Sequence, residues 1–290
     1  MLWLTWRQHR GQVLVTAGFL VAVGVVLLVH GLTSTGLSDD ALGERYNGMY
    51  AFLGWLPVVP LVAGMFWGAP VLARELERGT QRLAWTQSVS RRRWLAGKLG
   101  LLGLAVTVAG LLLGQAVGAW LTTYEGVGRA DRFSDTAMFG ATGVLGGAWW
   151  LFAFMLGAAA GGVLRRTLPA LAVTIAVFVL AMVVVFDARP DYAQPVRTVL
   201  EHGGDMPTGF ITGTAYLSSS GVEVDVPPEC ADEGRGTYLR CTAAAGYRDV
   251  LYYQPSDRYW RFQWTEAGLL ALASALLAGP VVYRVTRRPV

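Results

Sequence analysis

The chain has 290 residues, of which 53% are hydrophobic and 15% charged, where a soluble domain carries about 25% charged residues. Its mean hydropathy is +0.42 and its charges are clustered, so the composition excludes an ordinary soluble globule and points to membrane spans. The net charge is +4, and Lys98 is the one lysine among 24 basic residues.

The chain opens on MLWLTWRQHR. As a helix this stretch lies at the membrane interface, with Leu2, Trp3 and Trp6 at headgroup level and Arg7 and Arg10 toward water; it serves as an anchor or in signalling. Apolar residues before the arginines are the reverse of a cleavable signal peptide. Six apolar segments follow, at about 12–32, 48–72, 96–122, 136–163, 168–186 and 266–285. Each supplies the roughly 20 helical residues that cross a bilayer. Helix is the default there, because lipid cannot satisfy exposed backbone groups. Pro57, Pro60 and Pro70 predict kinks in the second span. Gly110, Gly114 and Gly118 in the third span, and Gly143, Gly147, Gly157 and Gly161 in the fourth, let helices approach closely. That spacing serves packing within the chain first and a dimer seam second.

Arginine placement sets the orientation. With the N-terminus cytoplasmic, the inner segments carry fourteen basic residues, Lys98 among them, and only Glu75 and Glu77 as acids. The outer segments carry ten basic and eighteen acidic residues. The inside is +12 and the outside −8, a split that favours an even number of spans with both termini cytoplasmic. The expected fold is therefore an all-α integral membrane protein with six transmembrane helices and a large extracellular loop between helices five and six. Residues 1–186 hold the interfacial helix, spans one to five and a cytoplasmic loop at 73–95. Residues 187–265 form the extracellular loop, and 266–290 the sixth span with a basic tail. The loop contains Cys230 and Cys241, which form a disulfide in an oxidising compartment or remain two thiols.

Several chemistries lack their motifs. There is no G-x-x-x-x-G-K-[ST] phosphate loop, no H-E-x-x-H and no G-x-S-x-G. His9, His30 and His202 are far apart in sequence, which argues against a metal hydrolase. The spans are nearly free of ionisable groups, which disfavours ion-coupled transport; His30 reads as interfacial and Glu266 as the outer start of the sixth span.

The densest charge lies in LARELERGTQRLAWTQSVSRRRWLAGK, residues 72–98. Glu75 and Arg78, and Arg78 and Arg82, are helix-face neighbours. Gly79-Thr80 ends one helix and starts another, with Thr80 as a cap, and Ser90 caps the third span. A solvated loop explains the arginines, which fix topology. A docking surface built from Arg74, Glu75, Glu77, Arg78, Gly79, Thr80 and Arg82 also explains the glutamates, the turn and the apolar Leu83-Ala84-Trp85. Arg91–Arg93 and Lys98 then anchor the third span.

This stretch resembles the first cytoplasmic loop of permease subunits of ABC exporters of the type-2 class, in the form common in actinobacteria. The matching positions are Glu75, Glu77, Gly79, Thr80, Gln87, Ser90, Arg91 and Trp94. YYQPSDRYWRFQWTEAGLLALA, residues 252–273, and WRQHR near the start are similar as well. The resemblance implies a multi-pass protein of the cell membrane that pairs with a second permease copy or a sister permease. Separate ABC ATPase subunits dock on its cytoplasmic face, with Glu75 and Glu77 meeting basic residues of the ATPase. ATP and Mg are bound by that partner, so the chain needs no cofactor of its own, is no enzyme and has no nucleic-acid partner. The loop at 73–95 becomes the coupling helix. Tyr259, Trp260, Gln263 and Glu266 become gate or lid residues for multidrug or lipid export. Two rivals come from other classes. One is a non-transporting membrane sensor or immunity protein that binds a ligand through the extracellular loop. The other is a membrane-embedded lipid enzyme, for which no nucleophile and base are recognisable.

Overall fold

The computed structural model describes residues 2–79, 90–124, 132–200, 206–231 and 234–287. The side chains of residues 2–6 lie outside the description, and with them the interfacial placement of Leu2, Trp3 and Trp6. Two compact units emerge: residues 1–132, 136–186 and 263–290 form a helical unit, and residues 133–135 with 187–262 form a second.

Six helical stretches of the described chain are long and apolar enough to cross a membrane. Span one lies within α1 (Leu2–Leu32). Span two runs over residues 39–78 as a chain of pieces: α2 (Asp39–Leu53), a 3-10 turn (Leu56–Val58), α3 (Val59–Ala63), a π turn (Gly64–Gly68) and α4 (Ala69–Arg78). Span three is built on α5 (Arg91–Leu121). A short α6 (Thr136–Ala141) precedes α7 (Gly143–Leu164), the fourth span. Span five begins with α8 (Thr167–Ala188), and span six runs along α10 (Tyr259–Arg287).

The second span starts earlier than hydropathy alone indicates. Residues 39–47 are polar enough to read as loop, yet they form the first turns of α2, with Asp39 and Asp40 in the first turn where the positive helix end favours acids. The prolines do not break a continuous helix. Pro57, Pro60 and Pro70 each sit in the second position of a new piece, where proline's fixed φ suits the helix. Pro70 has no N–H to give to Phe66 O four residues earlier, and Gln12 of α1 donates to that oxygen instead at 2.7 Å.

The fourth span is the centre of the helical unit. Most of its apolar window is buried (78%), against 11%, 17% and 22% for spans one, five and six, so the chain itself leaves most of the surface of those three uncovered. Glycines set how closely the second and fourth spans approach. A Cβ on Gly157 would lie 2.1 Å from Gly64 O, one on Gly68 2.4 Å from Phe154 O, and one on Gly161 2.3 Å from Ala69 O. The two backbones therefore touch, as small-residue packing allows in membranes. Gly110 of α5 and Gly146 of α7 meet in the same manner.

The expectation of an all-helical chain fails in the second unit. Residues 187–262 carry a four-stranded antiparallel sheet in the order β1-β4-β2-β3: β1 (Val196–Leu200), β2 (Gly209–Leu217), β3 (Glu223–Val224) and β4 (Arg248–Pro255). Its strands are rich in β-branched and aromatic residues (VRTVL, GFITGTAYL, RDVLYYQP), which fit a pleated, half-buried surface. A register shift lies between Ile211 and Gly213. Gly209 has φ +138°, and a Cβ there would fall 2.2 Å from Gln254 O, so the start of β2 requires glycine. Val250 and its partner Ala215 are buried on one face of the sheet, and Leu251 is buried on the other. One helix, α9 (Arg235–Ala244), lies between β3 and β4 in sequence. Cys241 of α9 is bonded to Cys230, which closes a short loop, and Tyr247 donates to Glu229 Oε2 at 2.9 Å. On the exposed side Arg197 pairs with Glu223 at 3.0 Å and Tyr252 donates to the same carboxylate. The Tyr252 hydrogen bond, with Arg197 behind it, holds the Glu223 carboxyl below its usual range, while burial pushes the Tyr216 phenol up to about 12.

Candidate functional site

The charged region at 72–98 is built on two helix ends. Leu72 and Ala73 are fully buried and seat α4, which stops at Gly79 with φ +68°, a left-handed cap that glycine adopts without strain. At the other end Ser90 Oγ accepts from the Arg93 N–H and caps α5. Thr80, Arg82, Trp85 and Gln87 lie outside the described residues. Arg74 and Arg78 are exposed on the last turns of α4.

The two glutamates stand differently. Residues two apart on a helix lie on different faces. Glu75 turns to α5, where Lys98 donates to it. Lys98 is 5% exposed in its side chain and Glu75 19%, so this is a buried ion pair, with the Lys98 ammonium also 5.3 Å from the centre of the Trp94 ring. Glu77 turns to α8. Its carboxylate accepts from Thr167 N at 2.7 Å and Thr167 Oγ1 at 3.0 Å and so caps the start of the fifth span. The glutamates tie α4 to the third and fifth spans, and the arginines face outward. Lys98 belongs to the interior rather than to a row of interfacial anchors. A lone lysine two turns inside a span was the available signal, because a charge there needs a named partner.

The four gate candidates divide between the units. Tyr259 and Trp260 belong to the second, Gln263 and Glu266 to the helical unit. Tyr259 is buried and meets Phe133 edge-on, with ring centres 6.0 Å apart, while Trp260 is about half exposed. Gln263 is fully buried at the break between α6 and α7. Its Oε1 accepts from Val144 N at 3.0 Å and Leu145 N at 3.1 Å, and its Nε2 donates to Phe139 O at 3.0 Å. One side chain thus satisfies a carbonyl of the last turn before the break and two N–H groups just after it. Gly143, at φ +61°, makes that break possible. Glu266 is also fully buried and accepts from Trp149 Nε1 at 3.1 Å. The sixth span therefore holds a carboxyl group inside the protein, not at the outer start of a helix. With Glu75 and Lys98, it corrects the picture of spans almost without ionisable groups.

Replacing Gln263 by Leu strands two N–H groups, of Val144 and Leu145, and leaves Phe139 O with only the long contact from Thr142 Oγ1. The expected loss is about 2 kcal/mol or more, since each buried unpaired polar group costs about 1–3 kcal/mol. Thermal unfolding of the detergent-solubilised chain checks it, with Gln263→Glu keeping the acceptor role and losing less.

A further polar cluster lies beside α1 and α5. Trp120 Nε1 donates to His30 Nδ1 at 3.2 Å. An indole N–H only donates, so the imidazole carries its proton on Nε2. Tyr124 OH sits 2.9 Å from the same Nδ1 and 2.7 Å from Ser34 Oγ, and Tyr46 stacks on Trp120 at 5.7 Å. His30 is thus a packed aromatic-cluster residue, not a bare interfacial one.

The family model described as ABC-2 membrane transporter related matches residues 17–189, which is more than half of the chain and takes in spans one to five. No curated protein matches the chain, and no solved structure does. The six apolar helical stretches and this match identify a multi-pass membrane component, of a kind that has no catalytic site of its own. The chain belongs to the ABC-2 membrane transporter related family.

Proposed function

We propose that the chain is the permease of an ATP-driven exporter. It moves a hydrophobic or amphipathic substrate outward through the cell membrane with energy from a separate ABC ATPase that binds ATP and Mg. The N- and C-termini and the 73–95 segment face the cytoplasm, residues 187–265 face outward, and two permeases, identical or sister chains, form the path. Family membership supports the permease role, and the arginine distribution supports the orientation. Gln263, at the break before α7, and Glu266, on Trp149, are gate elements of the helical unit, and Tyr259 and Trp260 are those of the second unit.

The observation that carries the coupling role is the way the segment is held. Glu75 on Lys98 and Glu77 on Thr167 fasten its entry to spans three and five, while Arg74 and Arg78 remain on the outer face of that fastened turn. A push on the turn is therefore transmitted to two spans at once. This moves the docking role from the glutamates to Arg74 and Arg78. The ATPase contributes acidic groups to this contact.

Co-purification of the chain with a cognate ABC ATPase tests the reading. Arg74→Glu with Arg78→Glu weakens the complex by at least about tenfold, because like charges across an interface are strongly unfavourable, and leaves the melting temperature of the isolated permease unchanged. A complex of unaltered strength would remove the coupling role from this turn. Survival of cellular function without any ATPase would favour the sensor reading instead.

A further inference from the structure

One large groove in the helical unit has no part in the coupling turn or the gate. It is about 780 Å³ and is lined by α5, α7 and α10, a volume in the range of small-molecule sites. Along α5 it follows Ala96, Gly100, Gly103 and Thr107, with Leu151 of α7 and Ala278 of α10 on its walls. Its depth comes from missing side chains. A Cβ on Gly100 meets nothing within 4 Å, and one on Gly103 reaches Leu151 Cδ1 only at 3.5 Å. These glycines hold open a space that no neighbouring backbone occupies, unlike Gly110 or Gly157.

The lining is apolar apart from one end. Thr107 gives its hydroxyl to Gly103 O at 2.7 Å, so it offers the groove little beyond a methyl group. Arg92, in the first turn of α5, is the charged residue of the lining and is exposed. From Arg92 to Thr107 the helix rises about 22 Å, compared with about 15 Å for half of a 30 Å hydrocarbon core. The groove thus runs from a cation at headgroup level through the depth of one leaflet. A cation at one end and one leaflet of apolar wall match a single lipid chain with an anionic head.

We propose that this groove holds one acyl chain of an anionic phospholipid, its phosphate on Arg92. The site goes beyond the proposed export role and does not rest on it: lipid binding needs neither the ATPase nor transport. Arg91 and Arg93 flank Arg92 in sequence and add positive charge at the same level of the membrane.

The test uses the full chain in phosphatidylcholine nanodiscs. These are doped with phosphatidylglycerol that carries a photo-crosslinker near the end of one acyl chain, and labelled peptides are mapped by mass spectrometry. Labelling concentrates on residues 103–107 and 151–155, and the matching phosphatidylcholine probe labels them about fivefold less, as expected for a contact with one arginine. Arg92→Gln brings the phosphatidylglycerol signal down to the phosphatidylcholine level. Gly100→Leu, which fills the groove, abolishes it. Equal labelling by both probes, labelling spread over all lipid-facing helices without an excess at the groove, or crosslinking of Leu104 to a second copy of the chain would each overturn the proposal. Should Gly100→Leu fail to fold, the comparison of the two probes on the unaltered chain decides. A complex with the ATPase that Arg74→Glu/Arg78→Glu leaves unaltered, with groove labelling intact, would refute the coupling reading and leave the lipid site standing.

Discussion

Replacing Glu75 by Leu lowers the stability of the chain by about 3 kcal/mol or more, and replacing Lys98 by Met does the same, whereas the double variant Glu75→Leu/Lys98→Met loses much less than either. The two groups are largely withdrawn from water, with side-chain exposures of 19% and 5%. Removing one partner leaves the other as a buried charge, a loss of about 3–5 kcal/mol; replacing both with apolar groups is often neutral or better. Thermal unfolding of the four species in detergent gives the coupling energy directly. Additive losses, with the double variant as unstable as the two singles combined, would mean that the pair is not the buried unit described. The experiment bears on function too. If the apolar double variant folds and still binds the ATPase, the glutamate is a fastening and not a contact.

The second large effect is at Gly157. Gly157→Val abolishes folding or costs more than about 4 kcal/mol, the range reserved for severe core disruption. A side chain there would collide with Gly64 O and with Ala69 N, 2.1 and 2.7 Å from its Cβ. Both obstacles are backbone, so no rotamer change relieves them, and spans two and four would have to separate. Gly118→Ala is the control. It belongs to the same four-residue series as Gly110 and Gly114, yet its Cβ meets nothing within 4 Å, and the variant melts with the unaltered chain. Yield of monodisperse protein and melting temperature check both. A folded Gly157→Val of normal stability would show that the two spans are not in backbone contact.

These two sites show what could be read from the residues and what could not. Apolar runs separated by arginines located the six spans, because hydrocarbon thickness imposes a length on any helix that crosses it. Gly79 and Ser90 announced their helix ends by local chemistry, since a left-handed cap and an N-cap need only neighbouring residues. Glycine spacing announced close packing without saying which glycines meet a neighbour. Gly157 does and Gly118 does not, because that depends on where the second span bends. The destinations of Glu75 and Glu77 were hidden for the same reason: Lys98 and Thr167 are 23 and 90 residues away, and only the folded bundle brings them near. Gln263 and its three backbone partners, more than 110 residues distant, left no local trace. The sheet at 187–262 is hard to see in the residues because its strands pair with partners distant in sequence. β1 pairs with β4 across some fifty residues, although VRTVL and GFITGTAYL carry a usable strand composition.

The π turn at Gly64–Gly68 has a consequence for everything after it. An α-helix advances about 100° per residue, and a π turn accommodates one extra residue without lengthening the hydrogen-bonded ladder by a full step. The bulge therefore acts as a phase shifter. Upstream, Gly64 is aimed at α7; downstream, Gly68, Ala69 and Leu72 face α7 as well, and Glu75 comes round to Lys98. Take out one residue of the bulge and the rest of α4 rotates by about 100°. Leu72 would turn away from α7, and Glu75 would lose Lys98. The aim of the turn that follows α4 is thus set some ten residues earlier, by a single surplus residue deep within the helix.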